Sequence, residues 1–132
     1  MDNFTIVRRI DDRYNFIKPD RTLLSEEWFA DVWDFYNGFA RVQRENLRWN
    51  FLKSDGTFLS KEWFADVWNF SEGFAAVQRG DEMFNFITTD GTLLSKEWFA
   101  DVWDFYNGFA KVQREDGCWY KLTSDGTLSK IE

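Results

Sequence analysis

The sequence has no histidine, one cysteine and a deficit of positive charge, and each absence removes a class of function. Without histidine the chain lacks the commonest general base and the commonest metal ligand. Cys118 has no second cysteine to pair with, so no internal disulfide ties the chain to an oxidising compartment. Lys and Arg number 16 against 23 Asp and Glu, a net charge of −7. Neither nucleic acid nor an anionic membrane is an expected partner, because neutralising phosphates takes an excess of cations. No run of about 18 apolar residues occurs, and Met1-Asp2-Asn3 does not open a signal peptide. The expected location is cytoplasmic.

Aromatic residues, by contrast, make up 20% of the chain, enough with the aliphatic residues to bury a real core. They are arranged periodically. Glu27-Trp28-Phe29-Ala30-Asp31-Val32-Trp33 returns as residues 62–68 and again as 97–103, at a spacing of 35 residues. Aligned on this heptapeptide, residues 15–49, 50–84 and 85–119 are identical in all three copies at 20 of 35 positions. A period of this length marks a repeat architecture.

Within one period, Gly38–Arg44 and Arg48–Lys53 read as strands joined through Glu45-Asn46-Leu47. Ser54-Asp55-Gly56 turns the chain into a third strand at Thr57-Phe58-Leu59, as a three-residue hairpin loop with a left-handed residue would. Each unit is therefore expected to be a three-stranded antiparallel meander. The linking stretch fits a helix: from Glu26 to Tyr36, the residues Trp28, Phe29, Val32, Trp33, Phe35 and Tyr36 fall on one arc and the acids on the other. Ser25 is placed as its N-cap and Asn37-Gly38 as its left-handed C-cap. The expectation is one mainly β tandem-repeat domain with units near residues 1–25, 38–60, 73–95 and 108–132. Three short helical links join them at 26–37, 61–72 and 96–107. Lys121 stands where Phe16, Phe51 and Phe86 stand, and Ser129 where Leu24, Leu59 and Leu94 stand. The polar last unit, with both termini at unit boundaries, favours an open solenoid-like stack over a closed four-bladed propeller-like ring.

Asn69-Phe70-Ser71-Glu72-Gly73-Phe74-Ala75-Ala76-Val77, followed by an aromatic, a Phe, an aliphatic residue and Asp-Gly, resembles the bacterial WG-containing (KWG) repeat. The namesake Trp-Gly is Trp49-Asn50 here, with Tyr14-Asn15, Phe84-Asn85 and Trp119-Tyr120 in the other units. The resemblance covers nearly the whole chain. It implies β-rich tandem repeats that bind other molecules, and it carries no catalytic residue to transfer.

The residues themselves point the same way. All eight glycines are used at link ends and in turns, which leaves none for a phosphate-cradling loop. Neither a cofactor nor a metal is expected, and the chain reads as a non-enzyme. The threefold Glu27/Asp31 pattern could form an acid/base pair or a cation site, but three equal copies fit a solvated face better than one asymmetric active site. Trp28, Trp63 and Trp98 suit packing between repeats. Trp33, Trp68 and Trp103 lie at the edge of the apolar arc and are expected to be partly exposed. With Gln43, Gln78, Gln113, Arg44, Arg79 and Arg114 they are the candidate ligand-binding residues. The expected function is a scaffold or binding module for a protein or peptide partner; the alternative is a lectin-like module that binds a repetitive glycan multivalently.

Overall fold

A computed structural model of the chain describes residues 3–131. It is mainly β, with no helix among the described residues. It divides into two compact units, one ending at Trp63 and the other beginning at Phe64.

In the first unit, β1 (Thr5–Arg8) pairs antiparallel with β2 (Tyr14–Ile17). A three-stranded sheet follows, in which β4 (Phe39–Gln43) is flanked by β3 (Asp31–Val32) and β5 (Trp49–Lys53). The β4–β5 register places Val42 opposite Asn50 and Ala40 opposite Leu52. All four are fully buried, as expected of the inner part of a sheet. Phe16, Phe29, Val42 and Leu52 form the core, with Phe35, Phe58 and Trp63 packed against it.

The second unit repeats the pattern. β6 (Asp66–Val67), β7 (Phe74–Gln78) and β8 (Phe84–Thr88) make one sheet. β9 (Asp101–Val102), β10 (Phe109–Gln113), β11 (Trp119–Thr123) and β12 (Leu128–Lys130) make a four-stranded one. Its core gathers Phe86, Phe99, Phe105, Val112 and Leu122.

The expected helical links are absent, and the reason lies in the backbone. Residues 29–33 are extended and serve two sheets at once. Phe29 exchanges both backbone hydrogen bonds with Tyr14 of β2, at 2.8 Å each. Ala30 N–H then donates to the Gln43 carbonyl at 2.8 Å and Trp33 N–H to that of Arg41 at 2.9 Å, both in β4. Residues 99–103 do the same between β8 and β10. Ser25 caps no helix: its hydroxyl accepts the Glu27 N–H at 3.0 Å, closing a short turn. Asn37 and Gly38, at φ 50 and 87, form the two-residue turn of a hairpin closed by the Tyr36–Phe39 bridge. Two successive positive φ angles are what the right-handed twist of a hairpin requires, and Asn-Gly is the preferred pair.

The meander expectation is corrected in one further place. The third strand shrinks to single bridges at Ile17–Leu23, Leu52–Phe58 and Ile87–Leu93, and only the last repeat builds a full strand there. The Asp-Gly turns are as the sequence implies. Asp55 Oδ1 accepts the Thr57 N–H at 3.0 Å, and hydrogen bonds from the Thr57 hydroxyl and then its N–H hold the carboxyl below its ordinary pKa. Gly56, Gly91 and Gly126 have φ near 90° there, whereas Arg21 holds the same position at φ 74. That conformation costs a non-glycine residue about 1 kcal/mol.

Candidate functional site

Two kinds of tryptophan emerge. Trp28, Trp63 and Trp98 are partly buried, each beneath a guanidinium: Arg9 lies 4.7 Å from the Trp28 ring, Arg44 3.9 Å from Trp63 and Arg79 4.5 Å from Trp98. Cation–π attraction of this kind adds packing and fixes the cation. Arg44 is held again by a bidentate pair with Glu27, at 2.7 and 3.0 Å, and Arg114 by one with Glu97, at 2.6 and 2.9 Å. Arg79 pairs with Asp81 instead. These hydrogen bonds push all three guanidinium pKa values further upward. The candidate arginines are therefore already engaged by neighbouring carboxylates and rings. Gln43, Gln78 and Gln113 stand half-buried at strand ends, where their backbone carbonyls accept the link amides of Ala30, Ala65 and Ala100.

Trp33 and Trp103 belong to the second kind, 52% and 63% exposed, with Tyr36 and Tyr106 beside them at 53% and 72%. Trp33 carries Arg41 over its ring at 4.6 Å, and Trp103 meets Trp119 edge-on at 6.5 Å. Trp68 is half-buried and tilted against Phe84, ring centres 5.7 Å apart.

Trp68 and Trp103 come together within the second unit. They face a cleft of about 630 Å³ whose other aromatic walls are Phe84, Tyr106 and Phe109. Asp101, Asp104, Lys111 and Ala76 of β7 also line it. Asp101 Oδ1 accepts the Val102 N–H at 2.9 Å. Burial against the surrounding atoms pushes the Asp104 carboxyl pKa upward. Among the described residues, no group of three or more metal-ligating side chains is placed to hold an ion. No helix of the described residues is long and apolar enough to cross a membrane.

Sequence reasoning missed three features. The helical reading puts Tyr36 on the apolar arc, yet Tyr36 and its repeat equivalent Tyr106 are more than half exposed. Ala76 was passed over, although it is the small residue at a position held by Arg41 and Lys111 in the flanking repeats. Asn15, Asn50 and Asn85 were weighed only as replacements for glycine. They are fully buried and keep extended backbones. Asn50 Nδ2 donates to the Ser60 carbonyl at 2.8 Å, while its Oδ1 accepts the Phe51 N–H at 2.7 Å and the Ser60 N–H at 3.3 Å. The signal was available, because Asn and Ser recur ten residues apart in three periods.

These features define a β-rich tandem repeat protein. Residues 29–47 and 64–82 match the family described as WG containing repeat, so these two stretches are WG containing repeats. No curated protein matches it in sequence. Among solved structures it is similar to the computationally designed Ika8 protein, at 11% identity and a TM-score of 0.49, over 98% of this chain and 46% of that one. It is also similar to the WD40 β propeller domain of Doa1, at 13% identity and a TM-score of 0.43, over 96% of this chain and 49% of that one. The chain spans about half the length of each.

Proposed function

We propose that this chain is a non-enzymatic binding module for a protein or peptide partner, and that its exposed aromatic segments make the contact. The observation that carries this reading is the pair of identical segments Asp31–Tyr36 and Asp101–Tyr106, each of which presents a Trp and a Tyr more than half exposed. Such residues supply large contact areas at little entropic cost, which is why they dominate interface energetics. The candidate arginines are committed to Glu27, Asp81 and Glu97. That favours a peptide docked on rings over a glycan held by planar hydrogen-bonding groups.

Linked sites gain avidity from effective concentration, so a repetitive or multimeric partner suits the repeats best. Trp33→Ala and Trp103→Ala are each expected to weaken capture of such a partner about tenfold, and together far more. The measurement is surface-based binding alongside thermal unfolding, which controls for folding. Loss confined to one variant, with the other silent, would show a single site.

The repeats are further proposed to form an open array rather than a ring. Lys121 and Ser129 are exposed where the earlier repeats bury Phe51, Phe86 and Leu59, as a polar outer repeat requires. Deleting one 35-residue period, residues 50–84, is then expected to leave a shorter, monomeric, cooperatively unfolding protein, checked by light scattering and denaturation. A ring would lose closure and unfold or oligomerise.

A further inference from the structure

The position occupied by Arg41 in β4 and Lys111 in β10 is Ala76 in β7. In the first unit Arg41 lays its guanidinium over Trp33, 4.6 Å from the ring centre. At the next repeat the equivalent side chain is the methyl group of Ala76, which lines the cleft of about 630 Å³ together with Trp68. The chain thus supplies at one repeat the cation that it omits at the next. Elsewhere it covers its rings with cations repeatedly: Arg44 over Trp63, Arg79 over Trp98, Arg114 over Tyr120 and Lys121 over Phe109.

We propose that the cleft over Ala76 binds the guanidinium of an arginine side chain carried by a basic segment of a partner protein. Trp68, Phe84 and Trp103 line it with aromatic rings on which a flat cation can stack, and Asp101 and Asp104 line it with counter-charge. Lys111 also lines it, so the local balance is two carboxylates against one ammonium, within a chain of net charge −7. The charge therefore favours a cationic occupant over an anionic one. Guanidinium suits the site better than ammonium because it stacks on aromatic faces and is weakly hydrated, so it loses less on leaving water. Asp104 already feels the desolvation of this environment, which an incoming cation would offset.

This inference rests on the reading of the chain as a module that binds a protein or peptide, and the test separates the two. The probe is a peptide of alternating arginine and serine; its control carries citrulline, which has nearly the same shape but no charge. Binding is followed by tryptophan fluorescence and calorimetry on the full chain. The arginine peptide is expected to bind about tenfold more tightly than the citrulline peptide. Ala76→Arg, which supplies the missing guanidinium from within as Arg41 does, is expected to remove that preference. Asp104→Asn, which keeps the side chain's shape and removes its charge, is expected to weaken arginine binding several-fold. Equal affinity for the two peptides overturns the proposal. So does a folded Ala76→Arg that binds like the parent. If Ala76→Arg does not fold, unchanged affinity in Asp104→Asn overturns it. If both peptides bind equally, and through Trp33 and Trp103, the arginine site fails while the broader module reading stands.

Discussion

Gly56→Ala is expected to cost about 3 to 4 kcal/mol, whereas Gly38→Ala, at the same φ of 87°, costs only about 1. The backbone strain is shared, so the difference is packing. A Cβ on Gly56 would sit 2.4 Å from the Leu24 carbonyl oxygen, closer than real contacts allow. That oxygen belongs to backbone and cannot rotate aside, and the Leu24 N–H is itself tied to the Phe16 carbonyl at 2.9 Å. A Cβ on Gly38 would meet nothing within 4 Å. Urea denaturation of both variants checks the contrast. Equal losses would mean that the turn at Gly56 moves freely away from Leu24.

The second large effect is expected at Asn50. Replacement by Ala removes the partner of three backbone groups, the Phe51 N–H, the Ser60 N–H and the Ser60 carbonyl, in a region closed to water. Each orphaned buried group costs about 1 to 3 kcal/mol, so a total of roughly 4 kcal/mol is expected, reduced where water reaches Ser60. Asn15 and Asn85 hold Ser25 and Ser95 in the same way, and their Ala variants should fall in the same range. Replacing the exposed Asn46, whose side chain only caps the Arg48 amide in a turn, is expected to cost well under half as much. The check is the denaturation midpoint of each variant. A similar loss at Asn46 and Asn50 would mean that the buried amide is not the pin.

The repeat, the first two strands of each meander and the Asp-Gly turns were legible in the sequence because each rests on local chemistry: alternation of apolar residues, a left-handed glycine, an Asp side chain two residues before a Thr amide. The links were not. Their aromatic spacing satisfies a helical arc equally well, since Phe29 and Phe35 turn inward in either geometry. What decides against the helix is hydrogen bonding to Tyr14 and to β4, partners from both neighbouring repeats that a one-dimensional period cannot weigh. Asn-Gly after the aromatics was the available counter-signal, because a hairpin turn and a helix C-cap both use it. The exposure of Trp33 and Trp103 was anticipated from a helix that does not exist, so that agreement owes nothing to the geometry first assigned. The cleft could not be read from repeated residues, because it opens at Ala76, where the repeat departs from itself.

The double allegiance of residues 29–33, one hydrogen-bonded pair with the preceding strand and the next with the following sheet, bears on how such a chain can lengthen. Within each unit, the link at residues 29–33 or 99–103 belongs to the repeat before it and to the repeat after it, so neither repeat is finished there before the other begins. A 35-residue period inserted at such a link therefore leaves a donor and an acceptor waiting on each side. Duplication and loss of whole periods become tolerable events for the gene, while an insertion of any other length strands half of a link. The identity of the three heptapeptides is what a chain grown by such copying would carry.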